Sequence, residues 1–246
     1  MSAQVWTATI FAIVAIGLLK RDDLLCFFVW RPAYIREILR FGVPLIPHVG
    51  GMFLLVSVDR FVINSELGLA KAGIYMIAVQ FSAALSLIFD AVNKAFVPWL
   101  FERLKRDDAT EKASIVKITY AWYAFILSCA ALAFLIGAEI VTLIAGQPYA
   151  QAGEIIGWLV LGQVFGGMYL MVTNYIFYSK RTGLLSLVTI FSGILNVVLL
   201  IVLIGQFGLK GAAYAFCIAM GIRFLLTWVV AHIRHPMPWF NFYIKS

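Results

Sequence analysis

The apolar residues of this chain are gathered into long runs that short polar segments separate. Each run is close to the length of about 20 residues that a helix needs to cross roughly 30 Å of hydrocarbon. The pattern therefore predicts membrane-spanning helices, of which the first is the shortest and the fourth either continues to 145 or ends near Gly137. The seven predicted helices cover residues 4–19, 41–62, 72–96, 118–145, 155–177, 184–204 and 208–232.

Composition strengthens this interpretation. Hydrophobic residues make up 63% of the chain and charged residues 13%, whereas a globular domain has about 25% charged residues. The mean hydropathy is +0.96. We therefore predict an all-α polytopic membrane protein with about seven transmembrane helices.

The net charge of +7 could suggest a nucleic-acid partner. Its basic residues lie in short loops between apolar runs, which is typical of the cytoplasmic loops of membrane proteins. We therefore predict no nucleic-acid partner. The three cysteines and three histidines do not cluster along the sequence, so neither a disulfide framework, a metal site nor a cofactor is predicted.

Lysine and arginine are concentrated in alternate loops, at residues 20–40, 103–117 and 180–181, and in the C-terminal tail. The other side of the membrane holds only Lys71 and Lys210, with Arg60 at the membrane edge. The positive-inside rule predicts a cytoplasmic C-terminus and an external N-terminus. An odd number of helices beginning outside, without a signal sequence, leads us to expect a part of a longer protein.

Charged residues also occur inside the apolar runs. Asp90 and Lys94 are four residues apart and can form an ion pair on one helix face. Arg223 falls near the middle of its predicted helix, and Asp59 and Arg60 fall near the end of theirs. Each such charge costs roughly 2.5 to 3.5 kcal/mol on insertion into a bilayer, so it usually faces a protein interior or a water-filled cavity. The sequence thus predicts a polar path through the membrane.

Several short motifs resemble the polysaccharide and O-antigen flippases of the multidrug/oligosaccharidyl-lipid/polysaccharide exporter superfamily. These motifs are RFGVPLIPH at 40–48, VDRFVI at 58–63, LGLAKAGIY at 67–75, AFVPWLFE at 95–102 and FGLKGAAYAF at 207–216. The resemblance implies two six-helix bundles, related by a pseudo-two-fold axis, around a central cavity. By this resemblance, residues 1–40 correspond to the last helix of the first bundle with a cytoplasmic linker, and residues 41–246 to the six-helix second bundle. A separate N-terminal half or a second copy would complete the cavity.

The resemblance also implies a substrate and a location. The substrate would be a lipid-linked oligosaccharide of the undecaprenyl pyrophosphate type, moved between the leaflets of the cell inner (cytoplasmic) membrane among membrane lipids. Candidate substrate-binding residues are Arg223, Lys94 and Arg60, and Asp90 and Asp59 are candidates for coupling to a proton or sodium ion. The alternative is structural: Lys94 pairs with Asp90, Arg60 is held by Asp59 or lipid head groups, and Arg223 binds a neighbouring helix.

Pro44 and Pro47 lie near the cytoplasmic end of predicted helix two. A proline inside a helix removes a backbone hydrogen bond, so the pair is a candidate gating kink or, alternatively, a static bend that fits the bundle.

Three other functions are alternatives to a flippase. An enzyme is not expected, because the chain has no HExxH, GxSxG or phosphate-cradling glycine loop. A multidrug exporter would share the architecture, but basic residues within the membrane disfavour a cavity that binds cations. An inactive remnant without transport activity is the third alternative.

Overall fold

The computed structural model describes residues 2–22, 31–43 and 46–240. These residues are almost entirely helical, and none of them forms a β-strand. Six segments within them are long and apolar enough to cross a membrane. The predicted all-α polytopic membrane fold is therefore confirmed. The chain divides into two units, Met1–Arg40 and Phe41–Ser246.

The first unit contains helix α1 (Ser2–Arg21) and most of helix α2 (Pro32–Gly42). Helix α1 lies where the first span was predicted, and its crossing of the membrane stays a prediction. Helix α2 was missed, because its segment was interpreted as a linker. It carries Arg36 and Arg40 on one side and Tyr34, Ile35 and Ile38 on the other, a pattern typical of helices that lie along a membrane surface.

The second unit begins with a broken helix. Helix α3 (Ile46–Val56) and helix α4 (Val58–Leu67) meet at Ser57. Pro47 is the second residue of α3, where the backbone N–H has no intrahelical partner to lose. The predicted loss of a helical hydrogen bond at Pro47 is thus corrected: this proline begins a helix, and the break lies farther along the chain. Pro44 lies outside the described residues.

Helices α5 (Leu69–Arg106) and α6 (Ala109–Ala145) are longer than predicted. Helix α5 has 38 residues, with Pro98 inside it, and at about 1.5 Å per residue it exceeds the hydrocarbon thickness. Asp108 caps α6 by accepting hydrogen bonds from the backbone N–H groups of Thr110 and Glu111. Helix α6 continues past Gly137 to Ala145, so it does not end at the glycine. Gly137 and Gly153 let α6 pack closely against the next helix.

The remaining helices are α7 (Ala150–Tyr178), α8 (Gly183–Phe207) and α9 (Leu209–Arg234), and a short 3₁₀ turn at Gln147–Tyr149 precedes α7. Helix α7 is the centre of the bundle. In the most apolar stretch of α7, 67% of the residues are buried, compared with 22% in the corresponding stretch of α6. A side chain at Gly162 would collide with Phe216 of α9, and one at Gly166 with Met220, so these small residues allow α7 and α9 to approach closely.

The helices alternate in direction, so the bundle has two ends. We call the end with the α5–α6 and α7–α8 turns the basic end, because it holds Arg103, Lys105, Lys180 and Arg181. The far end is the one with the α4–α5, α6–α7 and α8–α9 turns.

Helices α3 and α8 touch through their backbones. A Cβ atom at Gly51 would lie 2.7 Å from the backbone nitrogen of Ile190, and one at Gly193 would lie 2.7 Å from the carbonyl oxygen of Gly51. The neighbouring Gly50 has open space at the corresponding point. Only one of the two adjacent glycines is therefore required by packing.

This difference predicts the effect of alanine at each position. Gly51→Ala should destabilise the protein by about 1 to 3 kcal/mol, because a backbone contact cannot move aside for a methyl group. Gly50→Ala, the matched control, should be neutral or stabilising by up to about 1 kcal/mol, because alanine is the better helix former. Thermal unfolding of both purified variants in one detergent would check this, and equal melting temperatures would contradict the contact.

After α9 the chain folds back against the basic end. The side chains of Met237 and Trp239 are buried. The Trp239 ring makes edge contacts with the rings of Tyr120, Tyr175 and Trp228, with centroids 5.5 to 6.3 Å apart. Tyr120 also donates a hydrogen bond of 2.9 Å to the carbonyl oxygen of Trp239. The segment therefore ties together the ends of α6, α7 and α9.

His235 makes this packing sensitive to pH. Its ring stacks on Tyr175, and burial together with the nearby Lys112 ammonium lowers the pKa of His235, while Asp107 acts in the opposite direction. Because the folded-state pKa lies below the ordinary value of about 6.5, the uncharged ring contributes stability above that pH. This stability is lost as the pH falls through the folded-state pKa.

The melting temperature should accordingly fall more between about pH 7.5 and about pH 5 in the natural protein than in a His235→Phe variant, which keeps a stacking ring without a titrating group. A difference of a few degrees is expected for a change of about 1 kcal/mol. Identical pH dependence in both proteins would show that His235 does not control the segment.

Candidate functional site

Asp59 forms the centre of a polar cluster inside the second unit. It is the second residue of α4 and only 3% exposed. Its Oδ2 atom accepts a hydrogen bond of 2.7 Å from the Tyr75 hydroxyl of α5, and its Oδ1 atom accepts one of 2.9 Å from the Asn196 amide of α8. Three helices thus hold one carboxyl group, and the break at Ser57 lies two residues before it.

A small cavity adjoins this carboxyl group. It has a volume of about 20 Å³, and its walls include Asp59, Tyr75, Ser82 and Gln163. A cavity needs roughly 10 to 15 Å³ to hold one water molecule. The Oδ1 atom of Asn196 is also buried and has no hydrogen-bond partner among the described residues. The cluster therefore offers oxygen atoms and space for a very small ligand beside the carboxyl group.

Arg223 of α9 is the second buried charge, with 3% of its surface exposed. Its guanidinium carbon lies 3.7 Å from the centroid of the Tyr169 ring of α7, a cation–π geometry. Nη1 contacts the Met220 sulfur at 3.9 Å, and Nε has no hydrogen-bond partner among the described residues. No carboxylate of the described chain forms an ion pair with this guanidinium, whose close partners there are a ring face and a sulfur atom.

His48 connects α3 to α8. Its Nδ1 atom lies 2.7 Å from the Thr189 hydroxyl oxygen of α8. Thr189 donates its hydroxyl hydrogen to the Leu185 carbonyl. Nδ1 of His48 is therefore assigned as the donor to Thr189.

The other predicted charges lie on the surface. Lys94 and Asp90 form the anticipated ion pair at 2.6 Å, with side chains 75% and 46% exposed, and Arg60 is exposed beside the buried Asp59. The structure therefore separates the predicted site residues into two groups. Asp59 and Arg223 are enclosed by the bundle, whereas Lys94, Asp90 and Arg60 are accessible from outside it.

The surface of α5 that carries Lys94 differs from that of α6. Apart from Leu87 and Ile88, its exposed residues within the apolar run are small or polar: Gly73, Gln80, Ala84, Ala91 and Ala95. The exposed residues of α6 include many more bulky apolar side chains, among them Leu132, Leu135 and Leu143, beside a smaller number of alanines and polar residues. Hydrocarbon favours the second kind of surface. The exposed face of α5 is therefore better suited to water or another protein surface than to lipid.

Four residues that complete these clusters were not predicted from the sequence: Tyr75, Asn196, Tyr169 and His48. Polar atoms within apolar runs were a signal for Asn196 and His48. No spacing rule connects residues so far apart in sequence, because helix packing decides which of them meet. Among the described residues, no three His, Cys, Asp or Glu side chains come together as metal ligands.

Residues 4–154 match the family described as "Polysaccharide biosynthesis protein". The match covers more than half of the chain. The chain belongs to this family. The six helices within the described residues that are long and apolar enough to cross a membrane also make it a multi-pass membrane protein of that family.

Two curated relatives come from Haemophilus influenzae. One is named "Lsg locus putative protein 1" and is 28% identical over 170 residues, which cover 68% of this chain and 41% of the relative. The other, named "Uncharacterized membrane protein", is 28% identical over 184 residues, covering 68% of this chain and 40% of the relative. The match thus spans about two fifths of each relative. No solved structure matches the chain.

Loss of the two aspartates should destabilise the protein to very different extents. Asp59→Ala should destabilise the protein by about 1 to 3 kcal/mol for each polar group that it leaves unpaired at Tyr75 and Asn196. Asp90→Ala removes only an exposed ion pair, worth about 0.3 to 0.5 kcal/mol. Melting temperatures of the two variants in the same detergent would test this, and an equal loss at both positions would contradict the role of Asp59 as a buried anchor.

Proposed function

We propose that the chain is the C-terminal part of a flippase that moves a lipid-linked oligosaccharide for cell-surface polysaccharide or O-antigen synthesis. Membership in the polysaccharide biosynthesis family supports a role in making cell-surface polysaccharide. The single observation that carries the proposal is Arg223, a buried guanidinium that rests on Tyr169 without a carboxylate partner among the described residues. A buried charge is costly unless it is compensated. A buried guanidinium without a carboxylate partner is therefore suited to binding an anionic ligand.

The substrate of this proposal is an oligosaccharide on a carrier of the undecaprenyl pyrophosphate type. Its pyrophosphate requires cations, its sugars require a hydrated surface, and its lipid tail requires an apolar opening. Arg223 is the cation inside the bundle, and Lys94 and Arg60 are cations on accessible surfaces. The small and polar face of α5 suits the wall of a hydrated passage, which a separate N-terminal half or a second copy would close from the other side.

Asp59 and Asp90 are the proposed coupling carboxylates. Asp59 is the stronger candidate, because its hydrogen bonds join α4, α5 and α8 and binding of a proton or sodium ion would change all three contacts. Asp90 already has Lys94 as a partner. Pro44 and Pro47 remain the proposed gating segment, of which Pro47 is the second residue of α3. The basic loops support an inner-membrane location with a cytoplasmic C-terminus.

Transport is the activity that tests this proposal. Residues 1–246, produced with and without a matching N-terminal half in a strain lacking its own flippase, should restore surface polysaccharide only when the half is present. Arg223→Gln should then reduce export about 10- to 100-fold, because a charge-assisted hydrogen bond is worth about 1.5 to 3 kcal/mol. Arg223→Lys should recover part of that loss.

Lys105→Gln at the basic end is the matched control, because it removes an exposed positive charge outside the bundle interior. Membrane levels of every variant would be measured by immunoblot. Unchanged export by Arg223→Gln at normal levels would overturn the role of Arg223. No export with any combination would instead favour the inactive remnant, and export of amphipathic cations alone would favour the multidrug exporter.

A further inference from the structure

The two lysines that the sequence places on the non-basic side of the membrane come together in the folded chain. Lys71 is the third residue of α5 and Lys210 is the second residue of α9, and both line one pocket of about 240 Å³ at the far end. Lysine is depleted on the side of a membrane opposite the basic loops. Gathering both into one pocket is therefore unexpected for residues that serve only as solvated surface.

Side chains of α7 hold the two lysines in place. Lys71 donates a hydrogen bond of 2.6 Å to the Gln151 amide oxygen, and Lys210 forms an ion pair of 3.0 Å with Glu154. Two ammonium groups and one carboxylate leave the pocket with a net positive charge. Because Gln151 and Glu154 are one helical turn apart on α7, they fix both ammonium groups over the same opening.

The remaining wall of the pocket is apolar. Leu67, Ile155, Phe207 and Leu209 contribute to it, and these residues lie where the helices of the bundle end. Lipid head groups occupy that depth, with their hydrocarbon chains directly below. A ligand with an anionic head and an apolar body matches this combination better than a small anion, which would leave the apolar wall in contact with water.

We propose that this far-end pocket binds the phosphate group of an anionic lipid between Lys71 and Lys210. Lysine is a strong phosphate ligand that acts as a point charge, and the apolar wall receives the first part of the hydrocarbon chains. A zwitterionic lipid fits less well, because its own cationic group would lie near the two ammonium groups. If the proposed function holds, the pyrophosphate of the translocated lipid arrives at this same end and is a second source of the phosphate.

Native mass spectrometry of the purified chain would test the pocket with phosphatidylglycerol and phosphatidylcholine of identical acyl chains. We expect at least a fivefold preference for phosphatidylglycerol, and its loss in a Lys71→Gln/Lys210→Gln double variant. A Lys20→Gln/Lys105→Gln double variant, which removes two exposed lysines elsewhere, should keep the preference. Equal binding of phosphatidylglycerol by both double variants would overturn the proposal.

Glu154→Gln tests the same pocket in the opposite direction. Removing the carboxylate that competes with an anion should increase the phosphatidylglycerol preference at least twofold, an outcome that general unfolding cannot produce. A decreased preference would overturn the proposal. Inorganic phosphate at matched ionic strength should not displace the lipid, and displacement would identify free phosphate as the ligand and overturn the lipid assignment.

The lipid assay is independent of transport. Arg223→Gln should leave the phosphatidylglycerol preference unchanged, because Arg223 does not line this pocket. Loss of export with normal lipid preference would then concern the translocation path alone. Normal export with no lipid preference would overturn the pocket and leave the proposed function standing.

Discussion

A charge placed within hydrocarbon must be enclosed and bonded by the protein itself, and the second unit of this chain is arranged around that requirement. Helix α7 is buried along most of its length, so the neighbouring helices can direct polar side chains inward against it. Asp59 obtains two hydrogen-bond donors from different helices, and Arg223 obtains an aromatic face. Both groups join helices that are distant in sequence, so they contribute to the packing of the bundle as well as placing a charge inside it.

The two buried charges differ in how completely they are compensated. Asp59 accepts good hydrogen bonds on both oxygens. Arg223 has only a ring and a sulfur atom as close partners, and its Nε atom has none among the described residues. A group that its protein partners do not fully satisfy gains more free energy from a ligand than one that they do. This contrast is the physical reason for proposing anion binding at Arg223 and proton or ion binding at Asp59.

Hydrophobic run length was sufficient to predict six of the helices and their order, because a bilayer imposes a minimum apolar length. It did not reveal α2, whose apolar residues are confined to one side, or the extended ends of α5 and α6, which are too polar to register as membrane spans. Charges within apolar runs marked five candidate positions, of which Asp59 and Arg223 are buried in the bundle while Lys94, Asp90 and Arg60 are not. Their partners Tyr75, Asn196 and Tyr169 could not be inferred, because interhelical contacts depend on which small residues allow close approach.

The glycine contact between α3 and α8 has a mechanical consequence. Two helices that meet backbone to backbone have no side chain between them that could change rotamer and let one slide past the other. In any rearrangement of the bundle, α3 and α8 therefore have to move together as one rigid body. The chain break at Ser57 lies beside this pair, and any turn of α4 relative to it must break the hydrogen bond from Asn196 of α8 to Asp59.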